Sequence, residues 1–265
     1  MRASPYSNLD RPPLSEHALR RALVVPGGLW TDLRVTAETG STNADVAAAA
    51  RSGAAEGLVV VAERQTAGRG RFDRRWESPP RAGLTLSVLL RPVRLSGWLP
   101  LLAGVALAET VQRLGELDAA LKWPNDLLVG GRKCAGILAE SVGDAVVVGI
   151  GLNVTLREAE LPVPEATSLQ LAGSACTDRD PLLRALLRAL ADRYRRWSAT
   201  GGDPEASGLR PAYRDLCATL GRDVRVALPD GREVTGTASD IDSAGQLLLA
   251  GVPTPIAAGD VFHIR

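Results

Sequence analysis

The chain has 265 residues, with 31 lysines and arginines against 30 aspartates and glutamates, and 45% of its residues are hydrophobic. This composition is typical of a globular protein, and the net charge of +1 excludes nucleic-acid binding through an overall basic field. The longest apolar runs, such as 98–108, are too short to cross a bilayer, and the first twenty residues lack the apolar core of a signal peptide. Three scattered cysteines favour free thiols in a reducing cytoplasm over a disulfide framework or a metal site.

The first 219 residues alternate between helical and strand patterns. An alanine-rich helix follows a Ser/Thr cap within 39–53 and is expected to end at Gly53. Asp180 followed by Pro181 predicts the start of a long helix with a leucine stripe, and Gly130-Gly131 predicts a hairpin turn. Residues 1–25 are expected to be loosely ordered. The other predicted strands are 58–62, 84–90 and 145–154, and the other predicted helices are 101–114 and 209–220.

A different pattern begins at Gly221. Apolar and polar residues alternate over 224–228, and Asp230-Gly231 is a strong hairpin signal. About 45 residues of short strands predict a small β-barrel. The sequence therefore predicts an α+β domain over residues 1–219, followed by a small all-β domain over residues 220–265.

Four arginines lie within seven residues of a glycine-rich loop between Gln65 and Pro79. The glycines allow the backbone to approach a ligand closely, and guanidinium groups bind phosphate or carboxylate through paired donors. Because four like charges repel one another, we expect the loop to be mobile until an anion binds. Two other interpretations stay open, an Arg/Gly patch that binds RNA and a merely solvated loop. The four arginines are Arg69, Arg71, Arg74 and Arg75.

The chain contains only two lysines, Lys122 and Lys133, and the segment 123–126 between them is typical of a turn. If Lys122, Asn125, Asp126 and Lys133 lie on the two limbs of one hairpin, then two ammonium groups, an amide and a carboxylate converge. Such a set suits a polyanion accompanied by a metal ion. A compact ammonium reaches a single oxygen without the width of a guanidinium. The alternative is a simple turn in which two lysines were retained by chance.

Five motifs, present in order, resemble those of the biotin protein ligase family, and the resemblance covers roughly residue 30 to the C-terminus. It implies a mixed-sheet catalytic domain packed by helices, of the class II synthetase and lipoate ligase type, followed by an SH3-like β-barrel. The motifs are Ser41-Thr42-Asn43, GRGRFDRRW at 68–76, KWPND at 122–126, KCAGIL at 133–138 and GIGLN at 149–153.

The resemblance also implies an activity. Biotin and ATP, with Mg²⁺, would form biotinyl-5′-AMP, and the biotinyl group would pass to a lysine of a biotin carboxyl-carrier domain of a biotin-dependent carboxylase. About 30 residues precede the matching region, too few for the DNA-binding domain of the bifunctional members. We therefore expect no repressor activity and no nucleic-acid partner. The short apolar runs and the scattered cysteines predict no membrane partner and a cytoplasmic location, and either a monomer or a dimer is expected.

The resemblance implies roles for individual residues, with Lys133, Arg69, Arg71 and Lys122 as the catalytic set. The implied biotin site consists of Ser41, Thr42, Asn43, Gln65, Gly68, Arg69, Gly70, Arg71, Lys133 and Gly136. The implied nucleotide site consists of Asn125, Asp126, Arg74, Asn153 and Arg265, with Asp126 also as a metal ligand. Trp76 is expected to anchor the loop by packing. Asp73 replaces a glycine of the family's loop, and we expect it to weaken retention of the adenylate.

Two alternatives remain. A lipoate–protein ligase shares the fold and the chemistry, but the arginine-rich loop favours biotin. A nucleic-acid-binding protein would use the Arg/Gly loop together with the barrel, but the near-zero net charge and the five ordered motifs argue against it.

Overall fold

The computed structural model describes residues 10–72 and 74–264. A seven-stranded sheet has the order β1-β2-β3-β7-β6-β5-β4, with β1 and β2 parallel and the other neighbours antiparallel. A second, four-stranded antiparallel sheet has the order β10-β9-β8-β11. The strands are β1 (Asp32–Thr36), β2 (Leu58–Ala62), β3 (Gly83–Leu90), β4 (Ala119–Lys122), β5 (Asp126–Val129), β6 (Arg132–Val142), β7 (Ala145–Asn153), β8 (Asp223–Ala227), β9 (Glu233–Ile241), β10 (Leu247–Leu249) and β11 (Asp260–His263), and the helices are α1 (Glu16–Leu23), α2 (Thr42–Arg51), α3 (Trp98–Gly115), α4 (Arg179–Ala199) and α5 (Leu209–Leu216).

The centre of the large sheet is covered on both faces. Strands β3 and β7 are buried along their whole length, which explains why their sequences are nearly continuous apolar runs. Leu89 and Val147 face α2 in one apolar cluster, whereas Val88 and Val148 belong to the larger cluster that includes the leucines of α3 and α4. Within the described ranges, no helix combines the length and the apolarity needed to cross a membrane.

Most elements predicted for the first domain are confirmed. The strands β2, β3 and β7 and the helices α2 and α3 lie where the sequence placed them, within three residues at each end. Gly130 and Gly131 have φ values of 56° and 75° in the tight turn between β5 and β6, a conformation that favours glycine. The small antiparallel sheet after residue 221 is also confirmed, with Asp230 and Gly231 in the turn between β8 and β9.

Residues 1–25 were expected to be loosely ordered, and this prediction is wrong for the part that the structure describes. Helix α1 occupies Glu16–Leu23, and its N-cap Ser15 accepts a hydrogen bond from Ala18 N. Leu19 is fully buried in the main core, so α1 is held by packing against the domain. Strand β1, at the edge of the sheet, was not predicted either.

Two helix boundaries also differ from the prediction. Helix α4 begins at Arg179 rather than at Asp180-Pro181, because the side chain of Asp178 caps it and accepts from Asp180 N. Helix α5 ends at Leu216 rather than near Leu220. The chain then runs beside β4, where Ala218 N donates to Leu121 O, and this pairing is incompatible with a continued helix.

The small sheet is attached to the turn that follows β4. Trp123 is buried, its Nε1 donates to Gly245 O at 3.1 Å, and its backbone N–H donates to Thr219 Oγ1 at 3.1 Å. His263 Nε2, on β11, lies 3.2 Å from the same hydroxyl. This attachment places β11 beside the β4–β5 turn of the large sheet.

Candidate active site

A cleft opens where the N-terminus of α2, the arginine loop, the β4–β5 turn and β11 meet over β3, β6 and β7. Residues from both sheets line it. Thirteen of the residues predicted for the site are among them, namely Ser41, Thr42, Asn43, Gln65, Arg69, Gly70, Arg71, Arg74, Lys122, Asn125, Asp126, Lys133 and Gly136.

Two glycines of β7 make room at the floor of the cleft. A Cβ at Gly149 would lie 2.1 Å from Asn43 Oδ1, and a Cβ at Gly151 would lie 2.3 Å from Trp76 Cε2. Neither glycine has a positive φ, so close approach by a neighbouring side chain explains both of them. The indole of Trp76 also lies 3.2 Å from the Cβ position of Gly136. Trp76 therefore anchors the arginine loop, as predicted, and also forms part of the cleft wall.

A chain of polar contacts runs across the floor from the start of the arginine loop. Gln65 Oε1 accepts from Thr42 N at 2.8 Å and lies 3.0 Å from Thr42 Oγ1. Ser87 Oγ, fully buried on β3, lies 2.7 Å from Thr42 Oγ1 and 2.6 Å from Asn43 Oδ1. Asn43 Nδ2 then donates to Glu140 Oε2 at 2.6 Å. These contacts fix the first turn of α2, where the side chain of the helix N-cap makes no capping hydrogen bond of its own.

The two lysines and Asp126 converge on successive strands. Lys122 and Asp126 are paired in register across β4 and β5, and Asp126 is paired with Gly136 across β5 and β6. Lys133 Nζ lies 2.6 Å from Asp126 Oδ1. That oxygen is shielded from solvent but makes no hydrogen bond with suitable angles, so the contact is chiefly one of charge. The residues predicted to share one hairpin instead occupy two consecutive hairpins that have β5 in common.

The environment of Lys122 disfavours its charged form. Burial lowers the pKa of its ammonium, and the neighbouring Lys133 and Arg74 lower it further, while Asp126 opposes the shift. His263, on the adjoining β11, has a pKa lowered to about 4 by burial and by the charges of Lys122 and Arg222. His263 is therefore a neutral neighbour of Lys122 near pH 7.

The arginine loop contacts both sheets. Arg71 Nη1 donates to Gly259 O at 3.2 Å, and Arg74 forms an ion pair with Asp260 of β11. Arg69 Nη2 lies 3.1 Å from Glu140 Oε1 of β6. Within the loop, Gly70 N donates to Arg74 O at 2.6 Å. The small sheet and β6 thus hold the loop over the cleft from opposite sides.

Most of the positive charge in the cleft has a nearby carboxylate. Burial lowers the pKa of Arg71, Arg74 lowers it further, and Asp126 opposes that shift. In the part of the chain that the structure describes, no carboxylate lies within ion-pair distance of Arg71 or Lys122, so these two carry the least compensated charge. The four basic side chains with a carboxylate partner are Arg69 with Glu140, Arg74 with Asp260, Lys133 with Asp126, and Arg75 with Glu77 at 3.9 Å.

The chain is similar in sequence to known proteins along most of its length. Residues 38–155 match the Biotin/lipoate A/B protein ligase family, and residues 219–264 match the Biotin protein ligase C terminal domain. A relative from Mycobacterium tuberculosis, named Biotin--[acetyl-CoA-carboxylase] ligase, is 46% identical over 96% of this chain and 97% of its own. The chain belongs to the biotin protein ligase family.

Two further relatives support the assignment. The Bifunctional ligase/repressor BirA of Escherichia coli is 36% identical over 77% of this chain and 66% of its own length. The solved biotin protein ligase from Aquifex aeolicus, in complex with biotin and ATP, superposes with a TM-score of 0.75 at 27% identity and covers 89% of this chain and all of its own. The likeness to the Aquifex protein therefore includes both the fold and the sequence.

Two described residues that the family resemblance assigned to the site, Asn153 and Gly68, are not among the residues that line the cleft. The side chain of Asn153 is buried and donates to Thr167 O at 2.9 Å, away from the opening. Gly68 stabilises the loop through its backbone, since its carbonyl oxygen accepts a hydrogen bond from Trp76 N at 2.9 Å. Arg265 lies outside the described residues, as does Asp73, the position at which the loop departs from the family pattern.

Sequence reasoning did not identify several residues of the site. Ser87 and Glu140 contribute the polar chain. Ser87 lies on β3, which carries no motif, and Glu140 lies on β6 just beyond the end of the KCAGIL motif. Asp260, Val261 and Phe262 reach the cleft from the second sheet. No local pattern signals them, because their approach depends on how the two sheets dock.

Proposed function

We propose that this member of the biotin protein ligase family is an ATP-dependent biotin–[biotin carboxyl-carrier protein] ligase. The observation that carries the proposal is the convergence of Lys122, Lys133 and Arg71 on one cleft whose floor is lined by the uncharged side chains of Thr42 and Gln65. A cleft with one strongly cationic wall and one neutral polar wall suits a ligand with an anionic end and an uncharged hydrogen-bonding end. The name of the Mycobacterium tuberculosis relative agrees with this activity.

The reaction needs no enzyme nucleophile. An oxygen of the biotin carboxylate attacks the α-phosphorus of ATP, the bond to the β-phosphate oxygen breaks, and pyrophosphate leaves. The amine of the carrier lysine then attacks the acyl carbon of the mixed anhydride, AMP leaves, and the amine loses a proton as the amide forms. Cys134, beside Lys133, does not take part, because burial raises the pKa of its thiol to about 12.

The cationic side chains solve the main difficulty of the first step, which is the repulsion between a carboxylate and a phosphate. Fixed positive charge from Lys133, Arg71 and Lys122 stabilises both anions and the departing pyrophosphate without reorganisation. Arg69 and Gly70 extend this wall along the loop. Ser41, Thr42 and Gln65 are suited to the uncharged ring of biotin. The side-chain amide of Asn43 already makes hydrogen bonds with Ser87, Leu138 and Glu140, so we assign Asn43 to the support of the uncharged side of the cleft rather than to contact with biotin.

The nucleotide is proposed to lie toward the β4–β5 turn and β11. Asn125 Nδ2 donates to Ile137 O at 2.9 Å, which leaves its Oδ1 for the base. Arg74 and Lys122, which line this part of the cleft, are proposed to bind the phosphates. Among the described residues, no group of three or more His, Cys, Asp or Glu side chains could enclose a metal ion.

Magnesium is therefore proposed to enter with ATP as part of the substrate. Mg²⁺ is commonly held by one or two carboxylates together with substrate phosphates and waters. Asp126 is proposed as the single carboxylate ligand, and it would share its charge between the ion and Lys133, whose Nζ lies 2.6 Å from Oδ1. Bound there, the ion would neutralise phosphate charge, while Lys133 would remain the contact for the reacting oxygen.

The test is ATP–pyrophosphate exchange that depends on added biotin, with lipoate as the control substrate. We expect exchange with biotin and none with lipoate. Lipoate–protein ligase is the second candidate, because the family that matches residues 38–155 includes both kinds of enzyme, whereas the C-terminal match is to biotin ligases. Exchange with lipoate alone, or with neither acid, would overturn the assignment.

The acceptor is proposed to be the biotin carboxyl-carrier domain of a biotin-dependent carboxylase, and the compartment the cytoplasm. Three free cysteines in the described structure support a reducing environment. We place the division between the two domains at residues 219 and 220. Cys217 and Ala218 still pair with β4, and the second sheet begins at Asp223.

A further inference from the structure

Glu140 lies on β6, seven residues beyond Lys133 and outside the motifs of the site, yet it contacts two residues that line the cleft. Its Oε1 is 3.1 Å from Arg69 Nη2, and its Oε2 accepts from Asn43 Nδ2 at 2.6 Å. One carboxylate thus joins the arginine loop to the first turn of α2. The side chain of Glu140 is 32% exposed and that of Arg69 is 50% exposed, so the ion pair lies at the rim of the cleft.

A carboxylate beside an anion-binding site could act in two opposite ways. It could compete with the ligand for the arginine, or it could hold the arginine in the position that the ligand requires. The donor count favours the second. Arg69 offers five N–H donors in a planar fork, and Glu140 engages only those of Nη2. The Nε and Nη1 donors make no hydrogen bond to another described residue and remain for an anion in the cleft.

The remainder of the contact network supports holding rather than competition. Asn43 is itself fixed by Ser87 Oγ at 2.6 Å and by Leu138 O at 3.3 Å, and both are part of the central sheet. Glu140 is therefore attached to a rigid support on one side and to the loop on the other. Without Glu140, the half-exposed side chain of Arg69 would have no ion-pair partner among the described residues.

We infer that Glu140 is a positioning residue that holds Arg69, and with it the arginine loop, closed over the reactive adenylate. The inference rests on the proposed function, specifically on the assignment of Arg69 to the anionic part of the ligand. Glu140 acts through Arg69 and does not touch the reacting atoms. Its effect should appear in how long the acyl-adenylate stays bound rather than in the chemistry of its formation.

The experiment measures release of preformed biotinyl-5′-AMP from the full-length chain after addition of a large excess of unlabelled ligand. Glu140→Gln keeps an oxygen that can accept from Asn43 but loses the charge that holds Arg69. We expect release to become about two- to fivefold faster, the range for a partly exposed ion pair. Glu140→Ala also loses the bond to Asn43, and we expect release at least about tenfold faster.

Three further measurements separate positioning from a general loss of structure. The melting temperature of Glu140→Gln should match that of the natural chain, and its biotin-dependent exchange rate at saturating substrate should fall by a smaller factor than the release rate rises. In a double-mutant cycle, Arg69→Ala and Glu140→Gln should be non-additive, since each removes the same ion pair. Asp144→Asn is the matched control, because Asp144 is 80% exposed in the turn at the far end of the same hairpin.

Each other outcome has a distinct meaning. If Arg69→Ala releases the adenylate at the natural rate, Arg69 does not hold the ligand, and both its proposed role and the inference fail. If Arg69→Ala accelerates release and Glu140→Gln does not, only the inference about Glu140 fails. Slower release from Glu140→Gln would show that Glu140 competes with the ligand, which also overturns it.

Discussion

Gly151→Ala should damage the cleft by moving a ring rather than by removing a contact. The new methyl group would lie 2.3 Å from Cε2, 2.5 Å from Nε1 and 2.6 Å from Cζ2 of Trp76. The closest of these is about 1 Å short of an ordinary van der Waals contact at 3.4 Å, so the methyl cannot be accommodated unless the indole or β7 moves by that distance. Strand β7 is central and buried along its whole length, so the indole is the part that can move.

We expect two effects of this displacement. Overpacking at a buried contact costs about 1–3 kcal/mol, which should lower the melting temperature by several degrees. Because Trp76 N donates a hydrogen bond to Gly68 O, movement of the ring should also shift the start of the arginine loop. Misplacement of catalytic groups by about 1 Å can reduce a rate by about a hundredfold, so biotin-dependent pyrophosphate exchange should fall by one to two orders of magnitude.

Calorimetry and the exchange assay test this reasoning together. Gly40→Ala is the control, because Gly40 lies in the same part of the chain as the cleft but has nothing within 4 Å of its Cβ position. Trp76→Phe introduced into Gly151→Ala should recover part of the lost stability, since a smaller ring relieves the overlap. Normal exchange and an unchanged melting temperature in Gly151→Ala would refute the account of the cleft floor.

Three other predictions follow from the same geometry. Lys133→Arg should lose most adenylation in the exchange assay, despite keeping its charge, because a guanidinium is wider than the ammonium that lies 2.6 Å from Asp126 Oδ1; near-normal exchange would contradict this role. The free energy of unfolding should fall as the pH drops from about 6.5 to about 4, because over that range His263 is protonated in the unfolded chain but stays neutral in the folded chain. Urea unfolding of His263→Gln over the same pH range should show a weaker fall. Glu63→Gln should cost about 3–5 kcal/mol in urea unfolding, because it leaves Arg179, only 5% exposed, as an unpaired buried charge; a loss below about 1 kcal/mol would refute the importance of that pair.

Local sequence patterns were sufficient for the main elements of the catalytic domain. The continuous apolar runs of β3 and β7 are typical of buried strands, and the alanine-rich composition of α2 is typical of a helix. Helix α1 was not predicted because only two of its side chains, Leu19 and Leu23, are buried. These leucines stabilise the helix only when the rest of the domain packs over them. The start of α4 was misplaced because two aspartates compete as caps, and only the backbone conformation at Asp178 decides between them.

The sequence by itself determined which chemical groups are available and in what order they occur. Two lysines in a chain otherwise supplied with arginine, and four arginines in a glycine-rich loop, drew attention from sequence alone to two segments that line the cleft. Only the tertiary structure decided which partners restrain those groups. Glu140 meets Arg69 across 71 residues, and Asp260 meets Arg74 across 186. Such pairs depend on strand register and on the docking of the two sheets, and these are set by burial of the whole core rather than by any local pattern.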